Sequence, residues 1–199
     1  PTGYKTLCTA NLANNAIYKG RKHFDVVTRV GNSVDTGTTI TGIGFQPDFV
    51  WSKIRNDTGS HYLADAVRGA NKVLSTNNTN QESPGSTITA FTNDGYSVDA
   101  SLSIFNKTYV DWLWRAGNTT VTNTAGTNSA TISSTYSVNN IAKFSIVTYS
   151  GNNLAGAKIA HGLGSNPDFM IIKNRTTGST GWPVYHSAQG VVNVPYLND

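Results

Sequence analysis

The stretch FQPDFVWSKIRN, residues 45–56, returns later in the chain as LGSNPDFMIIKNR, residues 163–175. In both copies Pro-Asp-Phe opens a short apolar run that closes on a lysine and an arginine. The spacing repeats too: 167 − 47, 173 − 53 and 175 − 55 are all 120. Proline cannot donate to a β-ladder, so Pro47 belongs before a strand or at its first residue. A period of two then sets Phe49, Trp51, Lys53 and Arg55 on one face and Val50, Ser52 and Ile54 on the other. In the second copy Phe169, Ile171, Lys173 and Arg175 alternate with Met170, Ile172 and Asn174. A run that is apolar on both faces and emerges at a basic end reads as a core strand. Packing alone explains why a duplicated domain carries it twice.

The duplication extends in both directions. FDVVTRVG at 24–31 matches FSIVTYSG at 144–151, again 120 apart. Downstream, SHYLADAVRG at 60–69 faces GWPVYHSAQG at 181–190, now 121 apart, as a one-residue loop insertion gives. The first copy runs on through ITAFTNDGYSV and TYVDWLWRAG to Gly117, whereas the second stops just past the counterpart of Asn77. Two copies at this spacing are a domain-level duplication, much too long for a solenoid unit. Four segments follow: an N-terminal piece 1–23, a complete module 24–117, a Thr/Asn/Ser-rich linker 118–141, and a partial second module 142–199. The partial module lacks counterparts of three strands, so another subunit, or chain beyond Asp199, is expected to cover its exposed edge and apolar face.

Composition points to strands. Charged residues make up 13% of the 199, and Glu82 is the only glutamate. Thr, Val, Tyr and Ile suit strands, and Asn and Gly suit turns, whereas long helices draw on Glu, Lys, Ala and Leu. Strand signals recur at Phe24–Val30, Thr38–Ile43, Phe49–Ile54, Tyr62–Val67, Lys72–Ser75, Ile88–Phe91, Tyr96–Asp99 and Tyr109–Trp114. Asn-Asp-Gly at 93–95 is expected to form a hairpin turn in which Gly95 takes a positive φ. About eight short strands with regular turns and no helical period predict an all-β fold, an antiparallel β-sandwich of jelly-roll or concanavalin-like type.

The net charge of +4 is mild, and the basic residues are scattered apart from Lys19, Arg21 and Lys22. Nucleic-acid binders gather such charge into a stripe, so nucleic acid is not an expected partner. Cys8 is the only cysteine, which excludes an internal disulfide and reads as a small buried hydrophobe. No apolar run reaches the length of a membrane span, and no membrane insertion is expected. The chain opens PTGYK, without Met or a signal-peptide apolar region, and reads as a processed product or a piece of something longer.

Catalytic and metal patterns are weak. His23, His61, His161 and His186 show no ligand spacing, and no cofactor is expected. Of the acidic pairs, Asp94 is claimed by its turn, and Asp48 follows a proline, where Asp commonly stabilises a bend. The aromatics carry more. Val110, Trp112 and Trp114 share one face of their strand and read as core. Tyr109, Asp111, Leu113 and Arg115 share the other, a polar face able to meet a glycan or a neighbouring subunit. The pairs Lys53–Arg55 and Lys173–Arg175 each project from one strand face. Their structural reading is cross-strand pairing, with Asp65 in the first copy, and their functional reading is a grip on acidic polysaccharide, where Arg bonds a carboxylate twice. The candidate ligand-binding residues are therefore Lys53, Arg55, Tyr109, Arg115, Lys173 and Arg175.

GFQPDFVWSKIRN, SHYLADAVRGANKVLSTN, ITAFTNDGYSV and TYVDWLWRAG together resemble a repeat module of structural, tail-fibre-like proteins of bacteriophages, particularly marine ones. FSIVTYSGN, AHGLGSNPDFMIIKNR and WPVYHSAQG resemble the start of the next module, and PTGYKTLCTANL resembles the closing strand of a SPRY-type sandwich. The resemblance implies a non-enzymatic virion component, exposed on the particle and part of a tail fibre or similar appendage, that spaces or performs host-surface recognition. It also implies other virion subunits as partners, a homo-oligomer with a trimer favoured by analogy with tail fibres, and host surface polysaccharide as a ligand. The alternatives are a carbohydrate-binding module of a secreted enzyme or adhesin, and a capsid-decorating protein. Ser52 and Ile54 depart from the module's pattern, and His186 replaces Asp65 in the second copy.

Overall fold

A computed structural model describes residues 19–32, 37–85, 87–190 and 194–198. The SPRY-like segment, with Cys8, lies outside the described residues. The first repeat contributes β1 (Phe24–Val30), β2 (Thr38–Ile40), β3 (Phe49–Ile54), β4 (Tyr62–Asp65), β5 (Lys72–Ser75), β6 (Ser83–Pro84), β7 (Ile88–Thr92), β8 (Gly95–Val98) and β9 (Thr108–Trp114). After it come β10 (Val121–Asn123), β11 (Ser134–Asn139), β12 (Phe144–Tyr149), β13 (Phe169–Ile171) and β14 (Val184–His186). The architecture is all-β and every strand pairing is antiparallel.

The first repeat is a sandwich. A six-stranded sheet in the order β1-β9-β3-β4-β5-β6 packs on a three-stranded sheet in the order β2-β8-β7. Val50, Ala64, Tyr109 and Leu113 from the larger sheet meet Ile88, Tyr96 and Val98 from the smaller, with Ile43, Phe45 and Leu102 closing the ends. All of these are buried, and each large side chain taken out of water contributes about 1.5–3 kcal/mol before the cost of ordering the chain.

Asp48, in the repeated Pro-Asp-Phe, has a definite job. Its buried carboxylate accepts the backbone N–H groups of Ala116 (2.7 Å) and Asn118 (3.1 Å), fastening the chain as it leaves β9. The turn at 93–95 works differently from expectation. Gly95 is absent from the positive-φ glycines and pairs with Thr92 as the first residue of β8. Its lack of a side chain serves a close approach, since a Cβ there would collide with the Ile40 carbonyl of β2.

The second repeat keeps the register of the first. Phe49, Val50 and Trp51 face Asp65, Ala64 and Leu63; Phe169, Met170 and Ile171 face His186, Tyr185 and Val184. Hydrogen bonds outside the ladders repeat as well. Ala66 N–H donates to Asp48 O and Ser187 N–H to Asp168 O, both at 2.8 Å. Thr76 N–H donates to His61 O and Leu197 N–H to Trp182 O, both at 3.0 Å. The bridge Pro183–Tyr196 likewise matches the pair Tyr62–Ser75. A period-two strand must keep its register to bury the same face, so duplicated sequence has become duplicated backbone.

The expected linker at 118–141 is structured. Its Val121–Asn123 and Ser134–Asn139 segments are β10 and β11, which join β12 in a three-stranded sheet. Small polar residues hid these strands, because Thr122–Thr135 hydroxyl pairing and the Asn123 amide supply the cohesion that apolar side chains usually give.

Candidate functional site

The strongest concentration of chemistry-bearing side chains is the outer face of the six-stranded sheet, which turns away from the sandwich core. On it Phe24 packs on Trp114 (4.8 Å between ring centroids), Trp114 on Phe49 (5.2 Å) and Trp51 on Trp112 (5.9 Å). Phe144, from the second repeat, stacks over Trp114 at 6.1 Å and meets Phe49 edge-on at 5.8 Å. Trp51, Trp112 and Trp114 remain half-buried, while Phe24 and Val26 are exposed. A groove of about 650 Å³ runs between β1 and the start of β12, lined by Phe24, Val26, Trp114 and Phe144 with Arg21 and Lys143 at its polar margin.

This reverses the expected faces of β9. The Val110, Trp112 and Trp114 side looks outward, and the Tyr109, Asp111 and Leu113 side is the core, each of these three being at most 1% exposed. Asp111 misled the sequence reading because its charge is matched inside the sandwich. Arg29 Nε donates to Asp111 Oδ2 at 2.6 Å, and the Tyr96 hydroxyl donates to the same oxygen at 2.6 Å. The Arg29 guanidinium also lies over the Tyr109 ring, 4.3 Å from its centroid. Burial, reinforced by the Asp111 charge, drives the Tyr96 pKa far upward, so this hydroxyl stays a donor. Tyr109 is thus a core residue and cannot meet a ligand. Arg115 is half-buried just past the strand, its N–H bonded to His23 O and its carbonyl accepting from Asn139 Nδ2.

The four strand-end cations divide in two. Asp65 is not their partner: it sits opposite Phe49, at the other end of β3, and its carboxylate is held by Arg68. Lys53 instead donates to the carbonyls of Ile54 (2.6 Å) and Asp57 (3.4 Å), and Arg55 is exposed. Lys53 shares the outer face with Trp51, two residues along β3. Lys173 and Arg175 are taken up within the chain. Arg175 Nε and Nη2 each reach a different oxygen of Glu82 at 2.9 Å, and Glu82 N–H donates to Arg175 O at 2.9 Å. Lys173 Nζ bonds Thr180 and the Thr79 carbonyl. Beside them Trp182 is buried against Leu63 and Leu74, with Phe49 and Leu197, and its indole N–H donates to Asn78 O at 2.9 Å.

Sequence reasoning missed this junction between the repeats, although two signals were present. Glu82 is the only glutamate, and Trp182 stands where the first repeat has His61, a polar-to-large-apolar exchange at a matched position. Burial alone would raise the Glu82 pKa, but hydrogen bonds from Arg175 and Arg68 outweigh it and hold the carboxyl below the ordinary glutamate value. Among the described residues, no group of three or more His, Cys, Asp or Glu side chains is placed to hold a metal ion, and no helix is long and apolar enough to cross a membrane.

A family model described as a domain of unknown function (DUF7483) matches residues 19–198. No curated protein and no solved structure matches the chain.

Proposed function

The chain belongs to the DUF7483 family, a domain of unknown function, and from that premise we propose that it is a non-enzymatic architectural protein, a bacteriophage virion component that spaces or presents a host-recognition surface in a tail fibre or similar appendage. The observation that carries the reading is the junction between repeats. One repeat keeps the strand register of the other, and the two are clamped by Glu82, Arg175 and Trp182. Such stacking suits a rigid spacer built of modules. Mass spectrometry and antibody labelling of purified particles test it: the chain should be a stoichiometric component, located on an appendage. Its absence from particles would contradict the proposal, and label over the capsid shell would favour a decorating protein instead.

A second reading, a carbohydrate-binding module, is favoured by the half-buried Trp51–Trp112 pair with Lys53 on the same face. Indole faces stack on the apolar side of sugar rings, and the lysine can meet an acidic group. Tryptophan fluorescence during titration with host surface polysaccharide tests this reading. A saturable change that Trp112→Ala abolishes would support it, and an unchanged spectrum would not.

A further inference from the structure

Two arginine–carboxylate pairs in this chain meet differently. Arg175 sets Nε and Nη2 each on a different oxygen of Glu82, so the guanidinium fork is closed on its carboxylate. Arg29 sets Nε alone on Asp111 Oδ2. Its Nη2, on the same side of the guanidinium as Nε, and the second carboxylate oxygen, Asp111 Oδ1, are both buried and make no hydrogen bond among the described residues. Two other bonds hold the pair in this half-open form. Arg29 Nη1 donates to Leu102 O at 2.6 Å, and the Tyr96 hydroxyl holds Asp111 Oδ2 from the smaller sheet, also at 2.6 Å.

A third atom belongs to the same place. Ser52 stands directly opposite Asp111 in the ladder of β3 and β9, and both residues are fully buried on the core side of the sheet. The Ser52 hydroxyl is likewise buried without a hydrogen-bond partner among the described residues. A donor, an acceptor and a hydroxyl able to serve as either are thus gathered at the open half of one ion pair. A buried polar atom left unpaired costs more than an ordinary hydrogen bond contributes, so these three require a shared partner.

We propose that the open half of the fork binds one ordered water molecule, which accepts from Arg29 Nη2, donates to Asp111 Oδ1 and bonds Ser52 Oγ. Three bonds are the usual complement of a buried water. An ion does not suit the site, because one cation and one anion already balance there and an added charge of either sign would be buried uncompensated. The water also accounts for Ser52, which departs from the apolar pattern of the module. In the second repeat the counterparts of Arg29 and Ser52, 120 positions on, are Tyr149 and Ile172, so these polar partners are confined to the first. This inference goes beyond the virion reading and holds or fails without it.

High-resolution crystallography of the chain tests it, and should show density for a single oxygen within hydrogen-bond distance of all three atoms. In solution, oxygen-17 magnetic relaxation dispersion should count one long-lived water fewer in the double variant Arg29→Met with Asp111→Leu than in the wild-type chain. Ser52→Val, which fills the site with an apolar group, should lower the urea midpoint of the wild-type chain. The same substitution should leave the midpoint of the double variant unchanged or raised, since no polar atom there needs the water. A closed fork, with Arg29 Nη2 bonded directly to Asp111 Oδ1, would overturn the proposal. So would an ion in the density, a Ser52 hydroxyl bonded straight to Asp111 with no water, or an equal loss from Ser52→Val in both backgrounds. The wild-type crystal structure decides the matter even where a variant fails to fold.

Discussion

Glu82 and Arg175, 93 positions apart, hold each other through two side-chain bonds and one backbone bond, all 2.9 Å long. Arg68 donates to the same Glu82 carboxylate from the other side, also at 2.9 Å, so one acidic group joins a cation from each repeat. Glu82→Gln should therefore loosen the junction and cost about 1.5–3 kcal/mol, the range for hydrogen bonds to charged groups. Urea denaturation followed by tryptophan fluorescence checks the loss. A change within experimental error would show that the junction is held by apolar packing alone.

Acid should weaken the same contact. Glu82 has a folded pKa below its unfolded value, so its stabilisation is present above the unfolded value and is lost as pH falls through the folded one. The difference in stability between the wild-type chain and Glu82→Gln should thus be full at neutral pH and shrink steadily as the pH falls below the ordinary glutamate range. Paired melting curves across that range check it. A difference that grows as the pH falls would have the wrong sign.

The buried pair of Arg29 and Asp111 makes a sharper demand. Removing one partner strands the other charge in the core, so Asp111→Ala should cost about 3–5 kcal/mol. Tyr96→Phe removes only one donor from Asp111 and should cost about 1–3 kcal/mol. Replacing both charges together, Arg29→Met with Asp111→Leu, should recover most of the single-variant loss, which a double-mutant cycle measures.

Lys53 and Arg55 should be nearly neutral for folding. Neither is paired with Asp65, and the Lys53 bonds are to carbonyls near a strand end. Changing both to Gln should alter stability by no more than about 0.5 kcal/mol. Loss of glycan binding in that variant, with folding intact, would place the ligand at this end of β3.

The fold was legible where apolar periodicity and turns spoke together. Phe24–Val30, Phe49–Ile54 and Lys72–Ser75 appear with the expected bounds, the strands expected from Thr38, Tyr62, Ile88 and Tyr109 differ at one end, the one expected at Tyr96–Asp99 is shifted by one residue to Gly95–Val98, and Ser83–Pro84 was not foreseen. Failures came where polar groups were satisfied out of sight. Asp111 looked like a surface residue because nothing local announces Arg29, 82 positions away, or Tyr96. The strands of 118–141 lacked large apolar anchors. Lys173 and Arg175 were read as binding residues on strand position, but Arg175 is taken up by Glu82 of the other repeat and Lys173 by Thr180 of its own loop and the Thr79 carbonyl of the other repeat, contacts that leave no trace in the period of one strand.

Whether the second repeat holds the backbone of the first is tested most directly by hydrogen exchange resolved at single amides. Ala66 and Ser187 donate to equivalent carbonyls, as do Thr76 and Leu197. All four amides should be protected, with Ser187 and Leu197 exchanging far more slowly than an unfolded chain. Protection at Ala66 and Thr76, with free exchange at Ser187 and Leu197, would contradict the account.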